Sequence, residues 1–154
     1  MTVTVVTSPL SGRVLPLDDV PDEVFAQRIV GDGVAIQPDS GNVLAPIAGR
    51  IAKLFPGGHG IVVETAEGVQ VLVHVGIDTV ALRGRGFTAL ASEGEQVAAG
   101  DLLVRVDLDA LRADGVEMLS PVVVISGHAV VPAATERVAA GEPLLEVALP
   151  GERS

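Results

Sequence analysis

The chain has 154 residues, enough for one domain with a substantial core, and its apolar content is Val, Leu, Ile and Ala with no Trp or Tyr and 3 Phe. A formal net charge of −10 argues against nucleic acid and anionic membrane, which are bound mainly through Lys and Arg; it suits a basic protein partner or plain solubility. Cysteine is absent, which excludes disulfides, thiol nucleophiles and cysteine-based zinc sites.

The N-terminal MTVTVVT lacks the basic start and apolar stretch of a signal peptide, and residues 1–7 read as a short lead. A single domain is expected over residues 8–149, with a tail at 150–154, and the expected location is the cytoplasm. SPLSGRV (8–14) returns as APIAGRI (45–51), with Pro, Gly, Arg and a β-branched residue in register. Between them, DDVPDEVFAQ (18–27) predicts one or two helical turns opened by acids and Pro. Further on, GIVVET, a turn at AEG (66–68) and VQVLVH predict a β-hairpin.

EQVAAGDLLVRV (95–106) is echoed by ERVAAGEPLLEV (136–147), each reading as strand, glycine turn, strand. DLDALRAD (107–114) predicts a short helix capped by Asp107 or Asp109. MLSPVVVISGHAVVPAAT (118–135) carries no charged residue, but two Pro, a Gly and a His interrupt it, and it reads as buried strands rather than a membrane span. The duplicated units predict an all-β fold: an antiparallel β-sandwich or barrel of strand-turn-strand motifs with one or two short helical turns. Neither GDG (31–33) nor GRGF (84–87) sits in a strand, glycine loop, helix frame, so a phosphate loop is not indicated.

The chain has three histidines, His59, His74 and His128. A hairpin centred near Glu67 brings His59 close to opposite His74, where facing Cβ atoms lie within about 5.5 Å. Such a pair admits three readings. Both rings are satisfied sheet residues; or they bind metal, since His is a common ligand; or one is a phosphoryl acceptor and the other hydrogen-bonds the passing oxygens. The metal reading makes His59 and His74 candidate zinc ligands, and His74 with Asp78 has the H-x-x-x-D spacing of some zinc peptidases. Those enzymes need a further H-x-H pair, whereas only GHAVV around His128 remains. The phosphoryl reading needs no metal, because a neutral imidazole with an ordinary pKa near 6.5 is a nucleophile at neutral pH.

VHVGIDTVALRGRGF (73–87), EGEQVAAGD (93–101), PLSGRV, VPDEVFAQRIVGDGVAI (20–36) and SPVVVIS (120–126) resemble the glucose-type enzyme IIA of the bacterial phosphoenolpyruvate-dependent sugar phosphotransferase system, from about Ser8 to about Val147. The resemblance implies an antiparallel β-sandwich in which His74 accepts the phosphoryl group on Nε2 and His59 assists. It implies the phosphocarrier HPr as donor and the cysteine-bearing IIB domain of a glucose-family sugar permease as acceptor, with room for regulatory protein targets. No cofactor is implied beyond the phosphoryl group, apart from adventitious or regulatory zinc. Asp32 and Asp78 match acids that meet partner arginines, and Val34, Ile36, Phe55 and Leu72 match an apolar docking patch. Gly76, just past His74, is a supporting position.

The resemblance has two departures. Relatives often carry Thr two residues before the first histidine, where this chain has Gly57, so His59 must be oriented by Glu64 or by a backbone carbonyl. No amphipathic helix precedes the domain, so no direct lipid attachment is expected. A non-catalytic binding domain remains an alternative. So does a biotinyl or lipoyl carrier, although the sole lysine, Lys53 in RIAKLFP, lacks the hairpin-tip setting of such modules.

Overall fold

The computed structural model describes residues 2–149. Among them, strands β1 (Thr2–Thr7), β2 (Gly12–Pro16), β3 (Asp32–Pro38), β4 (Asn42–Leu44), β5 (Gly49–Leu54), β6 (Gly60–Glu64) and β7 (Gln70–His74) form the first half. The second half contributes β8 (Phe87–Ala89), β9 (Gln96–Val97), β10 (Leu102–Val106), β11 (Ser120–Val124), β12 (Val130–Pro132), β13 (Arg137–Val138) and β14 (Pro143–Leu149). Two short helices, α1 (Glu23–Ala26) and α2 (Leu108–Ala113), interrupt them. Asp22 caps α1 by accepting from the Val24 N–H, and Asp107, one of the two expected caps, accepts from the Ala110 N–H.

The strands form an antiparallel eight-stranded sheet in the order β13-β2-β3-β11-β7-β6-β5-β9, flanked by two three-stranded sheets, β1-β14-β12 and β4-β10-β8. The sequence repeats explain its two edges. Gly12 pairs with Val138 at one edge and Gly49 with Val97 at the other, so each copy of the P-x-x-G-R motif meets a copy of the V-A-A-G motif in the same register. The all-β sandwich of duplicated units is therefore the observed architecture. Thr2–Thr7, expected as a lead, is instead a strand paired along its length with β14. The tail at 150–154 lies outside the described residues. β11 is buried throughout, as its apolar run predicts, whereas Val131 of β12 is exposed.

Both faces of the large sheet are covered, and this decides where the site lies. Strand alternation sends Val34, Ile36, Val71, Val73, Ile61 and Val122 into the main core between the sheets. The opposite face carries Ala35, Val62, Leu72 and Val123, closed over by Leu17, Val20 and Phe25 from the segment leading into and through α1. His74 follows Leu72 by two residues in β7 and lies on this second, thinly covered face.

Candidate functional site

The β6–β7 hairpin turns where the sequence placed it, with Glu64 facing Gln70 and Gly60 facing His74. His59 is therefore opposite Val75, one residue off the expected pairing, and the Val75 N–H donates to its carbonyl at 2.7 Å. A continuous strand would point the two rings to opposite faces. They meet because His59 is not extended: it ends the 3-10 turn Pro56–Gly58 with φ −70° and ψ −20°, which redirects its side chain. The ring centroids lie 5.5 Å apart in an edge-on arrangement at 74°.

Backbone carbonyls fix both tautomers. The His74 Nδ1–H donates to the Gly76 carbonyl at 2.7 Å, and the His59 Nδ1–H donates to the Pro56 carbonyl at 2.9 Å. A carbonyl only accepts, so each Nδ1 bears the proton and each Nε2 keeps a lone pair when the ring is neutral. Glu64 is not the group that orients His59. It stands at the far end of the hairpin, paired with Arg50 at 3.3 Å and accepting from Gln70 at 3.4 Å. Gly76 has φ +76°, and a Cβ there would lie 2.6 Å from the Thr79 methyl, so this turn requires glycine. The Ser120 hydroxyl accepts from the Gly76 N–H at 3.0 Å, and Thr79 donates to the Val75 carbonyl at 2.6 Å, bracing the loop that holds His74.

Two aromatic rings frame the imidazoles. Phe25 lies 5.3 Å from His74 and Phe55 lies 5.7 Å from His59. Gly60 leaves room for Phe55, since a Cβ there would come within 2.5 Å of its ring. His59 is 5% exposed, while His74 is half-buried. Burial lowers the His74 pKa below its ordinary 6.5; the Gly76 hydrogen bond, Asp22 and Asp78 act the other way, and His59 adds to the lowering. His74 is thus neutral at pH 7, with Nε2 free to act as a nucleophile.

The flanking acids are Asp22 and Asp78. Asp78 is exposed and left-handed at φ +60°. Asp32, expected with Asp78 to meet a partner arginine, begins β3 opposite Val124, which in turn faces Val71, so it lies two strands across and about 10 Å along the strand direction from His74. It is bound to Arg28 at 3.2 Å. Val34 and Ile36, expected in an apolar docking patch, are instead 4% and 0% exposed and point into the main core, away from His74. Leu72 is on the correct face but 7% exposed, and Phe55 is half-exposed with Lys53 5.8 Å above its ring. The exposed apolar groups on segments that bear on His74 are Val24 (44%) and Ile29 (68%), around α1, and Val80 (61%), beside Asp78. Sequence reasoning missed Asp22, Phe25 and these three. The available signal was an Asp-x-x-Phe run at a helix start, which places cap and buried ring one turn apart.

Among the described residues, no group of three or more His, Cys, Asp or Glu converges to hold a metal ion. His59 and His74 would supply two ligands, short of the usual four of a structural zinc site or three of a catalytic one. His128 is remote from both, hydrogen-bonded to Ser126 at 2.7 Å.

The fold and the paired imidazoles define a class: a β-sandwich domain that holds two neighbouring histidines, each bonded through Nδ1 to a backbone carbonyl. The profile of the phosphoenolpyruvate-dependent sugar phosphotransferase system EIIA 1 family matches residues 4–130. The chain belongs to that family and is of its glucose type. It is 46% identical over 123 residues to the glucose-specific EIIA component of Borreliella burgdorferi, covering 80% of this chain and 65% of that protein. It is 45% identical over 150 residues to the N-acetylglucosamine-specific EIICBA component of Klebsiella pneumoniae, covering 95% of this chain and 23% of that protein. Among solved structures it superposes on glucose permease IIA from Mycoplasma capricolum with TM-score 0.90 at 34% identity, covering 95% of this chain and 96% of that one. No helix among the described residues is long and apolar enough to cross a membrane.

Proposed function

We propose that this chain is a cytoplasmic phosphocarrier that takes a phosphoryl group from phospho-HPr on His74 Nε2 and passes it to the cysteine of a sugar permease IIB domain. The observation that carries this reading is the pair of carbonyl-held tautomers, which leaves Nε2 without a proton in both of two rings whose centroids lie 5.5 Å apart. In the accepting step the His74 Nε2 lone pair attacks phosphorus as the donor's P–N bond breaks, and the donor imidazole leaves with that electron pair. His74 then carries both the phosphoryl group and its Nδ1 proton, so the ring gains positive charge. The Gly76 carbonyl, Asp22 and Asp78 are the groups that offset this charge. Onward transfer reverses the sequence, with a cysteine thiolate attacking phosphorus and the imidazole leaving neutral.

His59 assists from the side. Its Nδ1 proton is committed to Pro56, so donating to a phosphoryl oxygen requires a second proton on Nε2. With a proton taken up from water on Nε2, His59 donates to the equatorial oxygens and offsets their charge. No cofactor is needed, because phosphoryl transfer between nitrogens and sulfur rests on alignment and charge. Asp22 and Asp78 suit a partner that brings arginine, whose paired N–H groups match a carboxylate. Val24, Ile29, Val80 and Phe55 offer the apolar contact around the rings. Incubation with phosphoenolpyruvate, enzyme I and HPr should add one acid-labile phosphoryl group. A wild-type chain that stays unlabelled in that mixture would refute the relay.

A further inference from the structure

α1 ends in a turn where the Ile29 N–H reaches the Val24 carbonyl at 3.0 Å and the Arg28 N–H reaches the Phe25 carbonyl at 3.0 Å. The residue at the corner of such a turn takes the left-handed conformation, and glycine usually fills it. Here it is Arg28, at φ +58°. A side chain at this position carries a backbone cost that glycine avoids, so it calls for a compensating contact.

The Arg28 guanidinium supplies three. Nη2 donates to Asp18 at 2.8 Å, Nε to Asp32 at 3.2 Å, and Nη1 to the Ala26 carbonyl at 3.0 Å. These acceptors belong to the 3-10 turn Leu17–Asp19, to the start of β3 and to α1 itself. Arg28 holds the Asp18 carboxyl below the usual carboxylate range through that hydrogen bond and its charge. The segment pinned in this way carries Asp22, seats Phe25 against His74 and turns Val24 and Ile29 outward.

We propose that Arg28 is a positioning residue for phosphoryl transfer: by clamping Asp18, Asp32 and Ala26 it fixes α1, and so Phe25, against His74 and holds Val24 and Ile29 toward the incoming partner. The proposal rests on the relay reading and assigns Asp32 a partner within the chain. Arg28 touches neither imidazole and acts through the segment it pins.

Three full-length chains test it: wild type, Arg28→Gly and Arg28→Lys. Arg28→Gly removes the clamp while easing the backbone, so a residue needed only for its turn conformation would lose nothing. The clamp predicts that Arg28→Gly lowers kcat/KM for labelling by phospho-HPr about threefold to tenfold, the range expected from losing two surface ion pairs. It also predicts weaker Phe25–His74 nuclear Overhauser contacts, and only partial recovery of both by Arg28→Lys, whose single ammonium keeps the charge but cannot bond Asp18, Asp32 and Ala26 together. Arg28→Gly labelling at the wild-type rate, or Phe25–His74 contacts unchanged in that variant, would overturn the proposal. The contact measurement needs no partner protein, so it judges the clamp even where an unlabelled wild type has refuted the relay.

Discussion

The two ends of the β6–β7 hairpin each hold a histidine environment, and they hold it differently. At the open end, His59 and His74 each donate to a backbone carbonyl, a group that can only accept. At the turn end, His128 Nδ1 is bonded to the Ser126 hydroxyl, which can donate or accept and which also receives the Gln70 N–H at 3.0 Å. A hydroxyl partner leaves the tautomer of His128 undetermined, whereas a carbonyl partner sets it. The open end also adds a second imidazole and two aromatic rings, while the turn end adds Glu64 and Arg50 in an exposed ion pair. The proposed acceptor role calls for a fixed lone pair beside a second ring, and one end of the hairpin supplies both.

The largest effect should come from removing the acceptor. His74→Ala is expected to abolish labelling by phosphoenolpyruvate, enzyme I and HPr, as read by acid-labile phosphate. His59→Gln should still accept, but an amide cannot become a cation, so onward transfer to the IIB cysteine should slow about 100-fold. Stopped-flow or quench measurement of that single step checks the figure, and normal transfer would remove His59 from the mechanism. Gly76→Ala should cost about 1–2 kcal/mol, from a side chain forced into the left-handed region, and lower Tm by roughly 2–8 °C. It also moves the carbonyl that aims His74, so labelling should fall about tenfold.

A smaller effect is a pH dependence of stability. Because burial lowers the folded His74 pKa below 6.5, the unfolded chain takes up a proton that the folded chain refuses as pH drops past 6.5. The stabilising contribution is present above pH 6.5 and is lost as pH falls through the folded value. Denaturant unfolding of wild type and His74→Gln should differ in slope in that window, with the variant flatter. Smallest of all, Glu64→Gln and His128→Ala at the turn end should label within about twofold of wild type, since neither reaches the paired rings. A tenfold loss in either would erase the contrast between the two ends.

The sequence made the hairpin legible, because a polar turn at residues 65–68 separates two β-branched runs, and the meeting of the rings followed. The route was different. The side switch at His59 depends on a short helical turn at Pro56–Gly58, where a Pro-Gly-Gly run has no apolar period to read. The facing of β3 was hidden for another reason: both faces of the sheet are covered, so Val34, Ala35 and Ile36 are all apolar and carry no alternation to phase them. Asp32 and Asp22 were equally plausible on charge alone, and the fold separates them by placing α1 over His74 and the start of β3 beyond it. β1 is the opposite case: Thr2–Thr7 alternates and branches like any strand, a local signal that the expectation of a short lead passed over.

Attack by His74 requires Nδ1 occupied by its proton and Nε2 bare. The most direct test is nitrogen-15 and phosphorus-31 NMR of the protein labelled through phosphoenolpyruvate, enzyme I and HPr. One phosphoryl group bonded to Nε2 of His74, with the Nδ1 proton retained, is the expected result. A phosphoryl group on Nδ1, or on His59 or His128, would contradict it.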